Sequence, residues 1–229
     1  QSSIPKSFNL SEETKNSNFT GAKNFLEIIE KEKINTNFFK ANSGYIFKPN
    51  NGVVDLKCSL IKPNNPYVKA QQSAYKLIKK YRLRNLNCYS LIFMQIESPL
   101  RDKNFFIKKV CLHAKKRKKV VVGNIYTFRD YSWIEDIVKG VYYATFIKPC
   151  DIILSSGKKL SGRDILKYAY SLNKLNFKNF YSVNKTFIRK RENKIVIGSN
   201  SLTIDKFKRF KWKPKIYKEK LIKKIYNSI

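Results

Sequence analysis

Positive charge is the feature of this sequence that most restricts what the chain can form. Lysine and arginine number 48 against 16 aspartate and glutamate residues, which gives a formal net charge of +32. A compact protein with that charge repels itself unless a polyanion supplies the missing negative charge. Apolar residues make up 42% of the chain, which is enough for a folded core. We therefore predict a folded protein that binds a polyanion, most simply a nucleic acid.

Codon bias explains only part of this charge. Lys, Asn, Ile, Phe and Tyr are abundant, as in proteins from AT-rich genomes, and Lys outnumbers Arg 39 to 9. Such a bias raises the lysine content, but it does not account for so few acidic residues. The charge is also uneven, because residues 1–60 carry 8 basic and 6 acidic groups whereas residues 161–229 carry 19 and 4. The basic excess therefore marks the later part of the chain as the binding region.

Hydrophobic spacing predicts helices and strands in one chain. Apolar residues recur at helical spacing over 22–29, 70–81, 161–175 and 214–225. Ser161 and Asp164 resemble a capping box, and Pro214 suits the first turn of the last helix. Short β-branched and aromatic runs bounded by Gly, Asn and Pro predict strands at 44–48, 53–61, 89–96, 105–112, 120–128, 141–147, 152–154 and 195–204.

These elements predict an α+β protein with an antiparallel sheet core. Flanking helices and a basic C-terminal helical extension complete the expected fold. The Pro63–Asn64–Asn65–Pro66 run is the clearest boundary. We predict a weakly charged segment at 1–62, a basic β-rich RNA-binding core at 67–154, an α+β continuation at 155–204 and a basic aromatic extension at 205–229.

Two clusters of cations predict where RNA binds. One is an apparent loop of five adjacent cations at 115–119, and the other is the segment 206–224, in which cations alternate with Phe207, Phe210 and Trp212. Rings can stack on unpaired bases while lysines hold the phosphates, although the same rings can anchor the tail to the domain. The predicted RNA-binding residues are Lys115, Lys116, Arg117, Lys118, Lys119, Arg129, Arg189, Lys190, Arg191, Lys206, Lys208, Arg209, Lys211, Trp212, Lys213, Lys215, Lys218, Lys220, Lys223 and Lys224.

One stretch resembles a known family. The order of residues over 88–147 is similar to that in ribosome-binding translation initiation factors of the bacterial factor one and eukaryotic factor one A type. The residues that carry this resemblance are His113, Arg117, Lys118, Lys119, Val120, Arg129, Asp130, Tyr131, Asp136, Lys139 and Tyr142. The resemblance implies an OB-like barrel whose basic loop contacts ribosomal RNA.

Catalytic and metal-binding patterns are scarce in the sequence. The chain has a single histidine, His113, and it contains no G-x-G-x-x-G, Walker, G-x-S-x-G or H-E-x-x-H motif. The four cysteines lack any C-x-x-C pair, so no zinc site is expected. No run of about 20 apolar residues predicts a membrane span. These observations predict a protein that is not an enzyme, with no cofactor, no metal and no small-molecule substrate.

The function predicted from the sequence is that of an RNA-binding structural component of a ribosome. Its expected partners are ribosomal RNA and neighbouring ribosomal proteins. The first residue is Gln1, so a transit peptide or secretory signal could have been removed, and we expect a mitochondrion or other organelle as the location. The alternative locations are outside the cell, as a secreted protein, and a cytoplasmic ribosome. The alternatives are a secreted basic ribonuclease toxin and a viral nucleic-acid-packaging protein.

Overall fold

The computed structural model describes residues 1–188 and 192–229. Helices and short strands alternate along this part of the chain. The helices are α1 (Ile4–Asn9), α2 (Ser11–Lys15), α3 (Gly21–Lys31), α4 (Pro66–Leu83), α5 (Phe106–Lys115), α6 (Ile134–Ala144), α7 (Gly162–Ser171), α8 (Ser201–Lys206) and α9 (Lys218–Asn227). Within these described ranges, none of the helices combines the length and apolar character needed to cross a bilayer.

The strands of residues 1–188 and 192–229 form three sheets. They are β1 (Phe38–Ser43), β2 (Val53–Val54), β3 (Cys88–Phe93), β4 (Gln95–Glu97), β5 (Val120–Val122), β6 (Phe128–Trp133), β7 (Asp151–Leu154), β8 (Lys159–Ser161), β9 (Tyr181–Val183) and β10 (Ile195–Gly198). The first sheet has the order β1-β3-β7. The second has the order β2-β10-β6-β4 with β8 paired to β6, and the third pairs β5 with β9.

Strand direction contradicts the predicted antiparallel core. β1 pairs parallel with β3, and β3 pairs parallel with β7. Pairing is also parallel in the rest of the described ladders except β6–β8, which is antiparallel. The predicted α+β class and OB-like barrel are therefore wrong, and the protein has parallel sheets with flanking helices. β-branched and aromatic residues favour strands of either direction, so the runs that predict these strands do not distinguish parallel from antiparallel pairing.

Two predicted strands are helical. Residues 105–112 belong largely to α5, whose buried positions Ile107, Val110, Cys111 and Ala114 follow the i, i+3, i+4, i+7 spacing of a helix. Residues 141–147 include the end of α6. The predicted helices over 22–29, 70–81 and 161–175 are confirmed as α3, α4 and α7. The predicted capping box at Ser161 and Asp164 is also present.

Helices cover both faces of the β1-β3-β7 sheet. On one face α3 and α4 bury Leu26, Ile78 and Tyr81 beside Cys88 of β3. On the other face α6 and the segment 207–212 pack against the strands, and their buried set is Tyr89, Leu91, Ile137, Ala144, Ile152, Leu154, Phe207 and Trp212. A parallel sheet needs both faces covered, because its strands are apolar on both sides.

The C-terminal segment is part of a second core. Leu221, Ile222 and Ile225 of α9 are fully buried, and they pack among residues of α5, α7, β5 and β6. The C-terminal helix that was predicted as a basic extension is therefore part of the fold, because α9 meets two helices and places three side chains at zero exposure.

Candidate functional site

A cavity of about 730 Å³ lies where several strands end or begin. Ser43 and Tyr45 reach it from the end of β1, Tyr67 from the first turn of α4, and Arg129 from β6. The carboxyl ends of parallel strands meet at one edge of a sheet, where ligands of open α/β proteins bind. The cavity is therefore the candidate functional site.

The start of α4 positions Tyr67 at this cavity. The Asn65 side chain caps the helix by accepting a hydrogen bond from the backbone N–H of Val68 at 2.9 Å, and Pro66 supplies the first turn. Tyr67 follows directly, and Gln71 comes one turn later on the same face. This local sequence therefore places the Gln71 amide beside the Tyr67 phenol.

Tyr67 is buried among uncharged polar groups. Burial raises the pKa of its hydroxyl, and neighbouring Tyr45 raises it further, whereas the Ser43 hydroxyl and the Gln71 amide lower it. Gln71 Nε2 donates to Asn18 Oδ1 at 2.8 Å, and Gln71 Oε1 has no hydrogen-bond partner among the described residues. Because the pKa stays above its usual value near 10, Tyr67 is protonated at neutral pH and can donate a proton or a hydrogen bond.

Two arginines give the cavity a cationic wall. Arg129 is 6% exposed, and its guanidinium donates to Glu192 Oε1 at 2.6 Å and to the backbone oxygen of Phe128 at 2.7 Å. Arg101 lies over the Phe105 ring, 3.9 Å from its centroid, and also bonds Glu97. Guanidinium groups held in place in this way suit phosphate oxygens, which they can bind through two parallel hydrogen bonds.

Glu97 is a buried acid beside this wall. Burial raises the pKa of Glu97 to about 7, although the charges of Arg101 and Lys108 oppose the shift. Its Oε2 has no partner among the described residues. Glu97 therefore changes charge near neutral pH and adjusts how strongly Arg101 is neutralised.

Other buried acids hold the fold together. Asp130 accepts hydrogen bonds from the backbone N–H groups of Ser156, Gly157 and Gly198, at 3.0, 2.9 and 3.2 Å. Asp136 Oδ2 accepts from the backbone of Lys215 and Ile216 at 2.8 and 2.9 Å. Over the described part of the chain, no three His, Cys, Asp or Glu side chains are grouped so that they could hold a metal ion.

Most predicted RNA-binding residues lie away from the cavity. Lys115–Lys119 are exposed at the end of α5, and the lysines predicted between 206 and 224 are exposed as well. Trp212 is 5% exposed and donates to the backbone oxygen of Asp136 at 2.9 Å, so it anchors its segment, as the alternative interpretation held. Among the predicted residues that the structure describes, Arg129 lines the cavity. Arg189, Lys190 and Arg191 lie outside the described residues.

A sequence profile of one enzyme family, described as GDP-mannose 4,6 dehydratase, matches residues 1–225. The chain belongs to the GDP-mannose 4,6 dehydratase family. GDP-mannose 4,6 dehydratase 1 of Arabidopsis thaliana is 25% identical over 234 residues, which cover 97% of this chain and 64% of that relative. The Dictyostelium discoideum GDP-mannose 4,6 dehydratase is 24% identical over 181 residues, 74% of this chain and 50% of the relative. The chain thus spans about half to two thirds of their length.

Solved structures place the fold among Rossmann-like proteins. RMD from Pseudomonas aeruginosa, complexed with NADPH, matches with a TM-score of 0.84 and 18% identity, over 100% of this chain and 78% of that one. DesIV, a dTDP-glucose 4,6-dehydratase from Streptomyces venezuelae with NAD and TYD bound, matches with a TM-score of 0.85 and 12% identity, over 100% and 70%. At these identities the likeness shows the fold.

These comparisons overturn the predicted function. The resemblance to initiation factors is wrong, because the family is that of GDP-mannose 4,6 dehydratase and the fold is Rossmann-like. The predicted ribosomal role and its partners, RNA and ribosomal proteins, are therefore wrong as well. The two alternatives, a ribonuclease toxin and a viral packaging protein, are also wrong. The expectation of a non-enzyme without a small-molecule substrate is also wrong, because the matched relatives are named as dehydratases and the neighbours hold nucleotide sugars or NAD.

A nicotinamide dinucleotide, which several neighbours contain, does not fit the residues present here. Its pyrophosphate binds at a glycine-rich turn before a helix, where the strand order of a parallel sheet reverses. The 229 residues contain no G-x-G-x-x-G run. The described strands of the first sheet run β1-β3-β7 without a reversal. Residues 1–229 therefore lack the turn that would hold the pyrophosphate of the dinucleotide.

Sequence reasoning missed most of this site. Ser43, Tyr45, Tyr67, Gln71 and Arg101 carry no motif that was sought. Their signal was local: polar residues directly after an apolar strand, and a tyrosine directly after the Asn65–Pro66 helix start. This pattern indicates a shared site only if β1 and β3 are parallel, because the ends of parallel strands meet at one edge of the sheet. The sequence analysis predicted antiparallel strands.

Proposed function

We propose that this chain forms the sugar-nucleotide-binding part of a 4,6-dehydratase-type active site. The observation that carries the proposal is the cavity at the carboxyl ends of β1 and β3, whose lining includes two arginines and a buried tyrosine. Membership of the GDP-mannose 4,6 dehydratase family supports it, as do the nucleotide sugars that the solved neighbours hold. GDP-mannose is accordingly the proposed substrate.

The cationic wall suits the diphosphate of such a substrate. Arg129 and Arg101 are each oriented by a carboxylate partner, Glu192 and Glu97. Such preorganisation lowers the entropy lost when a phosphate binds. A diphosphate brings negative charge into a region where one of the two carboxylates, Glu97, has a pKa of about 7. Protonation of Glu97 would leave Arg101 free to neutralise the diphosphate, so we expect tighter binding below pH 7.

The polar end of the cavity suits the sugar. Ser43, Tyr45, Tyr67 and Gln95 offer hydroxyl and amide groups there, and Gln95 Nε2 donates to the Tyr45 hydroxyl at 2.9 Å. The Tyr67 phenol keeps its proton at neutral pH because of burial. In this proposal Tyr67 donates a hydrogen bond to a sugar oxygen and is the proton donor of the site.

Calorimetric titration of the purified chain with GDP-mannose tests the proposal. Arg129→Gln should weaken binding by roughly 10- to 150-fold, as expected for a charged hydrogen bond worth about 1.5–3 kcal/mol. Lys118→Gln removes one charge from the exposed loop at 115–119 and is the matched control, with binding expected to stay within about twofold. Melting curves show whether each variant is folded. UDP-glucuronic acid and dTDP-glucose, titrated in parallel, test the choice of nucleotide.

Two results would contradict the proposal. One is that the folded chain fails to bind GDP-mannose or any other sugar nucleotide at millimolar concentration. The other is that Arg129→Gln and Lys118→Gln weaken binding equally, which would indicate a general charge effect.

The organellar location predicted from the sequence remains a separate proposal, which imaging of the tagged protein would test.

A further inference from the structure

Positive charge is concentrated without balance in one part of the fold. Residues 103–128 and 165–188 together carry 12 lysine and arginine residues and no aspartate or glutamate. These two stretches form one unit, because α5 packs against α7 and β5 pairs with β9. We call it the basic unit. Codon bias raises the lysine content of the whole chain, so it does not explain why all 16 acidic residues lie outside this unit.

The cations of the basic unit lack carboxylate partners in the described structure. None of the ion pairs between side chains of residues 1–188 and 192–229 includes a residue of this unit. Lys116, Lys118 and Lys119 are exposed in the loop between α5 and β5. A protein surface of one sign attracts a surface of the opposite sign.

An apolar side chain is exposed beside this loop. Val120 and Val122 of β5 are buried, whereas Val121 between them is 42% exposed and therefore lies on the outer face of the strand. Lys119 directly precedes β5 and is two residues from Val121. Side chains alternate along a strand, so Lys119 and Val121 belong to the same outer face.

An aromatic side chain lies next to Val121. Phe187 is 54% exposed, and a side chain on Gly123 would come within 3.1 Å of the Phe187 Cβ atom. Lys109 connects the two apolar residues, because its Nζ donates to the backbone oxygen of Val121 at 2.8 Å and lies 5.5 Å from the centroid of the Phe187 ring. Lys185, two residues before Phe187, is exposed as well. A branched aliphatic and an aromatic side chain are thus exposed together among lysines.

An anionic phospholipid surface has the chemistry that this combination fits. Lysines near such a surface gain from its negative potential. Apolar and aromatic side chains beside them gain by entering the boundary between headgroups and acyl chains. A nucleic acid also offers phosphates, but an aliphatic side chain such as Val121 cannot stack on its bases. The exposed valine therefore favours a lipid surface.

We propose that the basic unit docks on an anionic phospholipid surface, with the loop 115–119 over the headgroups and with Val121 and Phe187 at the boundary with the acyl chains. Gly123 and Phe187 also line the candidate cavity. Docking in this orientation holds the mouth of the cavity beside the membrane surface. The docking itself does not depend on the proposed binding of a sugar nucleotide.

Sedimentation of the 229-residue chain with lipid vesicles tests the proposal. Vesicles of phosphatidylcholine with about 30% phosphatidylserine should bind the chain, and vesicles of phosphatidylcholine alone should bind it on the order of 100-fold more weakly. A triple variant with Lys116→Gln, Lys118→Gln and Lys119→Gln should weaken binding to the anionic vesicles on the order of 100-fold. Each lysine near such a surface contributes roughly fivefold, which gives this magnitude.

A matched triple variant controls for net charge. It replaces three exposed lysines of α4, which packs on β1 and β3, and its substitutions are Lys69→Gln, Lys76→Gln and Lys80→Gln. This variant should change binding by less than about threefold, because the removed charges lie outside the docking surface.

Val121→Ser tests the apolar contact without changing the charge. It should weaken binding by about three- to tenfold, since a partly buried valine is lost from the lipid boundary. The loss should persist at about 0.5 M salt, where the lysines are screened. Val138→Ser, at an exposed valine of α6 outside the basic unit, is the matched control and should leave binding unchanged.

Three results would overturn the proposal. The first is that the folded chain does not bind the anionic vesicles. The second is that the two triple variants weaken binding equally, and the third is that Val121→Ser has no effect. If single-stranded RNA at the same salt displaces the chain from the vesicles and Val121→Ser has no effect, the partner of the unit is a nucleic acid instead.

Two measurements keep these results interpretable. Melting curves show that each variant is folded. Binding of GDP-mannose is measured in parallel, and none of the substituted residues lines the cavity. Failure of the sugar-nucleotide site would therefore not be confused with failure of the docking surface.

Discussion

Glu97 makes the stability of the protein depend on pH in a way that one substitution should remove. The residue has zero exposure, and burial raises its pKa from 4.5 to about 7 in the folded protein. Between these two values the folded state binds a proton that the unfolded state has released. The stability from Glu97 is therefore fully present below about pH 4.5 and is lost as the pH rises through 7.

The expected size of this effect is roughly 3 kcal/mol. A shift from 4.5 to about 7 corresponds to that amount at about 1.36 kcal/mol per pKa unit. Arg101 is already included, because its charge lowers the pKa of Glu97 and burial still dominates. Glu97→Gln keeps the shape of the side chain and cannot ionise. Relative to the original protein, this variant should therefore gain about 3 kcal/mol on going from pH 4.5 to pH 8.

Urea unfolding at pH 4.5, 6 and 8 measures the free energies of the original protein and of Glu97→Gln. The difference between the two proteins cancels the other titrating groups that they share. Glu32→Gln is the matched control, because Glu32 is exposed and pairs only at the surface with Lys31, so its effect should stay small at every pH. The reasoning would be refuted if Glu97→Gln lost stability relative to the original protein as the pH rises. That result would show that the ion pair with Arg101 outweighs the burial of Glu97.

Three further predictions concern the tail and the site. Leu221→Ala, at a fully buried position of α9, should lower the free energy of unfolding in urea by about 2–5 kcal/mol. Leu202→Ala, at a half-exposed position, should lower it by less than about 1 kcal/mol. Equal effects of the two substitutions would contradict the burial of α9. Gln71→Lys should lower the pKa of Tyr67, because an ammonium favours the phenolate, and ultraviolet titration against Gln71→Met measures this. Tyr67→Phe should weaken the binding of GDP-mannose by roughly 2- to 12-fold in calorimetry, as expected for the loss of a hydrogen bond worth about 0.5–1.5 kcal/mol, and unchanged binding would exclude a hydrogen bond from Tyr67 to the sugar.

The high positive charge of the chain does not indicate RNA binding, although the sequence analysis predicted it. Most of the lysines predicted to bind RNA are exposed and lie outside the cavity, while Glu97, Asp130 and Asp136 are buried. The surface is thus even more basic than the composition indicates. Net charge bears on solubility and on non-specific binding rather than on fold, which is why it indicated the wrong family.

The sequence alone determined local structure. Spacing identified α3, α4 and α7, and the Ser161–Asp164 capping box was visible before the structure, because each depends on residues within a few turns. Tertiary structure alone decided that β1 and β3 are parallel, that α9 is a core helix, and that Tyr67 meets Arg129 across one cavity. These outcomes depend on crossovers and on contacts between residues far apart in the chain. Local periodicity does not encode such contacts, since a strand has the same period of two whichever neighbour it pairs with.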